Sequence, residues 1–163
     1  MARKLIWLSD SPALATGFGR VTRQVLPLLV ERLACDVVCL GFGHPGTDDV
    51  LDQLGYQLLP QGAFGSPQDN LARVVAGREA TVVTLGDAWD HGEVARAKVR
   101  HRFRWVAYVP VDSGPLPRKA VEALLVADAV LTPSHYGRSV LREALPELPV
   151  SVAYHGVDCG AFT

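Results

Sequence analysis

Cysteine is scarce, with three in 163 residues, and none is placed for a bridge. Cys35 and Cys39 fall in a stretch that reads as a strand, where four residues span about 13 Å, beyond the reach of a disulfide. Cys159 stands alone near the end, and an odd count argues against a disulfide framework. No His/Cys spacing suits zinc, so no metal is expected. No apolar run approaches the roughly 20 residues of a membrane span. The start from Met1 to Leu8 has a basic lead but too short an apolar core for a signal peptide. A cytoplasmic location is the expectation. Neither sign of charge is in excess: 16 Lys and Arg stand against 17 Asp and Glu, a formal net charge of −1. That leaves no electrostatic footprint for nucleic acid or an anionic membrane. Repeats, low-complexity tracts and internal linkers are also missing. One domain over residues 1–163 is expected, large enough to bury roughly 70% of its unfolded surface.

What the chain has in quantity is alternation. Apolar runs at Leu5–Leu8, Val37–Leu40, Tyr56–Leu59, Thr81–Leu85, Trp105–Val109, Ala129–Thr132 and Val150–Tyr154 take turns with helical patterns. Such alternation is the signature of βαβ units and predicts an α/β fold with a mostly parallel sheet of about seven strands. Ser66 or Asp69 can cap the helix carrying Leu71, Val74 and Val75, and Ser134 is a good N-cap for the helix through Val140 and Leu141. Two residues conflict with their helices. Pro27 predicts a kink, and Gly137 costs about 1 kcal/mol relative to Ala.

The most suggestive stretch runs from Ser9 to Arg20, a small-residue loop between the first strand and an apolar-periodic segment at Val21–Leu33. Gly17 and Gly19 would let backbone N–H groups face outward there, beneath the positive end of a helix dipole, which suits an anion such as phosphate. The plainer reading is that the glycines only allow a tight turn. Gly17-Phe18-Gly19-Arg20-Val21-Thr22 nearly spells the dinucleotide fingerprint, but the third glycine is Thr22. The first glycine also comes late after the strand, and no acidic residue closes the second strand. No nicotinamide or flavin cofactor is expected.

In open parallel sheets, ligands collect beyond the carboxyl ends of the strands. Those ends carry Ser9 and Asp10, His44, Asp87, Trp89 and His91, Asp112, Ser134, and His155 with Gly156. Asp112 and His91 are the first candidates for acid/base or hydrogen-bonding work, since each follows a buried strand in a glycine-containing turn. Their plainer readings are a turn or cap residue and a solvated helix start. Trp89 offers a stacking surface for a sugar, or a core side chain. Arg20, Arg23 and Arg138 lie near helix starts, where a guanidinium can grip phosphate or simply stay solvated.

Four segments together resemble the N-terminal half of the retaining GT-B glycosyltransferases of family 4, the group 1 transferases: LSDSPALATGFGRVTRQVL, WVAYVPVDSGPLP, ADAVLTPSHYGRSVLREA and VSVAYHGVDCGAF. The last two are the most specific, and the likeness runs from Leu5 to Phe162. The resemblance implies a Rossmann-like three-layer α/β/α domain that binds the acceptor and faces a second, nucleotide-sugar-binding half. It places Gly17 and Gly19 over the donor diphosphate and Asp112 where the family often has a histidine that touches the transferred sugar. It implies a nucleotide-sugar donor, an acceptor of unknown identity and retention of configuration. It also implies a missing C-terminal domain, hence a fragment inactive alone, with weak self-association through the face that would meet it. Arg20, Asp87, Trp89, His91, Ser134, Arg138, His155 and Gly156 complete the candidate binding residues. Two other readings stand beside this one: a self-sufficient, non-catalytic binding module, and a dinucleotide-dependent oxidoreductase domain.

Overall fold

The computed structural model of the chain describes residues 3–44, 55–61, 67–76, 79–157 and 159–162. Among them are seven strands: β1 (Lys4–Asp10), β2 (Asp36–Phe42), β3 (Gln57–Pro60), β4 (Ala80–Leu85), β5 (Arg104–Tyr108), β6 (Ala129–Thr132) and β7 (Val150–Val152). They form a single, wholly parallel sheet in the order β3-β2-β1-β4-β5-β6-β7. The helices are α1 (Gly17–Arg32), α2 (Pro67–Val75), α3 (Gly92–Arg100), α4 (Arg118–Leu124) and α5 (His135–Ala144). The expected Rossmann-like α/β fold is borne out.

Chain direction divides the helices between the two faces. From β1 the chain crosses to β2 on one side. From β3 it returns past β1 to β4 and then steps steadily outward to β7. Right-handed crossovers that run in opposite directions must put their helices on opposite faces. The packing agrees. Leu71, Val94, Leu124 and Leu141, from α2, α3, α4 and α5, share one core with Ile6, Val82 and Val130. On the other face Leu26 of α1 packs with Leu5, Trp7 and Val37. A central strand buried on both faces cannot alternate apolar and polar residues, which is why Val37 to Leu40 are buried without interruption.

Several boundaries differ from the sequence expectation. α1 begins four residues earlier than its apolar pattern, so Gly17 and Gly19 form its first turn instead of an open loop. Thr16 is the N-cap, its Oγ1 accepting from the Gly19 N–H at 3.0 Å. Asp69 lies inside the first turn of α2 and does not cap it, while Ser66 lies outside the described residues. β7 stops at Val152, short of the apolar run to Tyr154 that announced it. Pro60 closes β3, which is tolerated because an edge strand needs no donor on its open side. Pro27 lies on the exposed side of α1, and the helix runs on through it.

Ser134 caps α5 as expected, accepting from the Gly137 N–H at 2.9 Å. Such a cap contributes about 1 kcal/mol. Gly137 marks a close approach to its own chain. A Cβ there would collide with the Thr132 hydroxyl at the end of β6. The two glycines of α1 separate in the same way. A Cβ on Gly19 would stand 2.6 Å from the Leu14 carbonyl oxygen and 2.8 Å from that of Ser11, whereas one on Gly17 meets nothing within 4 Å. Gly17→Ala should therefore stabilise the fold by about 0.5 kcal/mol through the unfolded chain. Gly19→Ala should destabilise it by about 2 kcal/mol through overpacking against backbone that cannot move aside. Urea unfolding of the two variants measures both, and equal effects would refute the close approach.

Candidate functional site

The crossover reversal opens a crevice where the strands on either side of it end, between β1 and β4. Diverging connections leave the carboxyl edge uncovered at that point, and it is where ligands of open α/β sheets bind. A cavity of about 430 Å³ sits there. Leu8, Ser9 and Asp10 reach it from β1, and Thr84 to Asp87 from β4. Phe18 of α1, Phe42 at the end of β2, Gln61, Asp90 and His91 close it.

The segment leading from β1 into α1 satisfies its own polar groups. The Ser11 N–H donates to the Phe42 carbonyl at 2.9 Å, and the Leu14 N–H donates to the Ser11 carbonyl at 3.0 Å. Thr16 gives its hydroxyl proton to Asp10 Oδ2 at 2.6 Å while it caps Gly19. The Asp10 carboxylate is thereby held beside the N-terminus of α1, where a negative charge is stabilised by the helix dipole. A ligand anion arriving at this turn meets a resident one.

On the β4 side the chain leaves Gly86 and Asp87 for a 3₁₀ turn over Ala88–His91. Residues three apart eclipse in such a turn, which keeps Asp87 and Asp90 together at the cavity. The Asp87 carboxyl is pushed up from its ordinary pKa by partial burial, and then by the charges of Asp90, Asp112 and Asp10. His91 is 2% exposed, the opposite of a solvated helix start. Its ring lies edge-on to Trp105 with centroids 5.9 Å apart. The Trp105 indole N–H in turn donates to Thr84 Oγ1 at 3.0 Å. Burial pushes the His91 pKa down to about 4, against a smaller opposing effect of its hydrogen bond with the Gly86 backbone. Its Nε2 is buried and has no partner among the described residues.

The structure brings Ser9, Asp10, Asp87 and His91 together at the cavity and leaves the other candidates outside its lining. Asp112 is exposed beyond β5, outside the cavity yet near enough for its charge to act on Asp87. Trp89 is 66% exposed, so it is no core residue, and its ring stands free beside the 3₁₀ turn. Arg20 and Arg23 are exposed on α1. Ser134 is engaged as the cap of α5, and Arg138 is half-buried on the same helix with its Nε unpartnered. His155 and Gly156 border a different hollow of about 420 Å³ on the α1 face, where His155 meets Tyr108 edge-on at 5.3 Å. Burial lowers the His155 pKa.

Phe18, Phe42, Gln61 and Asp90 line the cavity without having been singled out. A signal for Phe42 existed. It ends a buried strand in register with Asp10 and is 62% exposed, a large apolar ring where solvent begins.

Among the described residues, no group of three or more His, Cys, Asp or Glu side chains is arranged to hold a metal ion. Among them also, no helix is long and apolar enough to cross a membrane. No protein-family model matches the chain, and no curated protein matches it. Fold and site together define a doubly wound α/β domain with one polar, carboxylate-rimmed cavity at its switch point.

The buried imidazole sets a pH dependence whose sign follows from linkage. The unfolded histidine takes up a proton near pH 6.5, but the folded one resists until about pH 4. Acid therefore favours the unfolded chain. The stability that neutral His91 carries is fully present above pH 6.5 and is lost as the pH falls toward 4, by about 3 kcal/mol in all. Denaturant titrations of the wild-type chain and His91→Gln across that range should differ by this amount in slope, with the variant flatter. Parallel curves would show that His91 is not buried as a neutral ring.

Proposed function

We propose that the chain is the acceptor-side domain of a nucleotide-sugar-dependent, retaining glycosyltransferase, acting with a second domain that holds the donor. The composition of the switch-point cavity carries this reading. Asp10, Asp87, Asp90 and Gln61 supply hydrogen-bond acceptors for hydroxyl groups, while Phe18 and Phe42 supply flat apolar faces. A sugar ring presents that same combination, hydroxyls around its edge and C–H groups on its faces. The exposed ring of Trp89 adds a further stacking surface close by. Asp112, free at the rim beyond β5, is the group we assign to a hydroxyl of the transferred sugar.

The sheet order, taken alone, would equally suit a dinucleotide. The details of the first βα unit do not favour one. The third glycine of a dinucleotide fingerprint allows close packing of helix on strand. Here that position is Thr22, buried, with its Oγ1 accepting from the Trp7 indole N–H at 3.1 Å. Phe42 stands where an acidic residue would grip a ribose, and Asp10 already faces the helix N-terminus through Thr16.

Saturation-transfer NMR with free hexoses tests the reading, alongside calorimetry with UDP-glucose, GDP-mannose and NAD. We expect the hexoses to receive saturation, with Asp87→Asn reducing it several-fold, and the nucleotides to bind no tighter than about 1 mM. Micromolar affinity for NAD with no hexose signal would overturn the assignment.

A further inference from the structure

Apart from Ser9, Thr84 and the Gln61 amide, every described polar side chain of the cavity has only an acceptor to offer a ligand at neutral pH. Asp87 and Asp90 are carboxylates, which only accept. His91 stays neutral because burial holds its pKa near 4. A neutral imidazole carries one N–H and one bare lone pair. The N–H serves the Gly86 carbonyl, which leaves the unpartnered, buried Nε2 as an acceptor with no donor to meet it. Ser9 does not supply that donor. By the alternation of β1 it follows Leu5 and Trp7 onto the α1 side of the sheet, whereas His91 packs with Trp105 in the opposite core.

The charge is equally one-sided. Among the described residues, no lysine or arginine lines the cavity. The ion pairs Arg96–Glu93, Lys98–Asp128 and Arg118–Glu122 lie elsewhere. Asp10 is engaged by the Thr16 hydroxyl, but neither Asp87 nor Asp90 meets a cation among the described residues. Mutual repulsion of these carboxylates is already felt at Asp87. A free phosphate would add to it, and the described side chains do not converge on a metal ion.

Resting on the sugar-binding reading above, we propose that the ligand of this cavity bears a cationic amine beside its hydroxyls, as an amino sugar or aminocyclitol does. Asp87 and Asp90 take the ammonium group. His91 Nε2 accepts from a ring hydroxyl, and Phe42 covers the face of the ring. The amine supplies the positive charge, and the hydroxyl the donor for His91, that the described residues of the cavity lack.

Three probes separate the parts of this proposal when titrated into the 163-residue chain at low salt and followed by NMR: 2-deoxystreptamine, myo-inositol and 1,5-diaminopentane. The aminocyclitol should bind at least about tenfold more tightly than inositol, the size of one charge-assisted hydrogen bond. Asp87→Asn with Asp90→Asn should abolish that preference, so that the variant binds the aminocyclitol no more tightly than it binds inositol. Asp87 is only partly buried and Asp90 is exposed, so the double variant is expected to fold. Equal affinity for the two rings would overturn the amine and leave the sugar reading standing. Tighter binding of the diamine than of the aminocyclitol would overturn the assignment of a ring. Binding of neither ring at millimolar concentration would overturn both proposals.

Discussion

The opposed crossovers on either side of β1 are the constraint on which the rest of this molecule depends. A parallel sheet delivers the carboxyl end of every strand to one edge, but connections normally cover that edge. Only where the chain leaves β1 toward β2 and leaves the neighbouring β4 toward β5 do the coverings part. The cavity is a consequence of that parting. Its residues are simply those that end β1, β2 and β4 and begin the segments leaving them. Nothing about Asp10, Asp87 or Phe42 in isolation would make them neighbours. The register does so, setting Asp10 beside Phe42 and Leu8 beside Thr84.

Around this opening the protein spends its own hydrogen bonds unevenly. The β1–α1 turn is tied down: Thr16 bonds both Asp10 and Gly19, and Ser11 bonds Phe42, Ala13 and Leu14. The β4 side is left open: among the described residues, two carboxylates meet no cation and an imidazole nitrogen meets no donor. A buried polar atom without a partner costs free energy, and like charges held together cost more. Both are the kind of local conflict that folded proteins retain at sites of function. The contrast shifts attention from the glycine turn, which reads in sequence as a phosphate cradle, to the aspartates on the opposite wall.

The fold was legible because its signal is collective. Seven apolar runs interleaved with helical patterns leave few alternatives, and the strand ends named the right edge of the sheet. Ser134 was legible as a cap because capping is local chemistry. The first turn of α1 was not. Glycine reads as loop by propensity, and only the approach of the Leu14 and Ser11 carbonyls explains why Gly19 must be glycine inside a helix. His91 was visible as a residue but not as a buried one, since its burial comes from Trp105, fourteen positions later on another strand. Tertiary contacts decided Gly137 as well, through Thr132.

Trp105 extends the reach of the site into a form that light can read. It is fully buried, its ring edge rests on His91, and its indole N–H is tied to a threonine of the cavity wall. Trp7 is buried on the far face, and Trp89 lies in water. The three indoles thus occupy three distinct environments, and only one of them touches the wall a ligand would fill. Occupancy of that wall changes the surroundings of Trp105 through His91 and Thr84, so the protein carries an intrinsic fluorophore for its own cavity and needs no attached label.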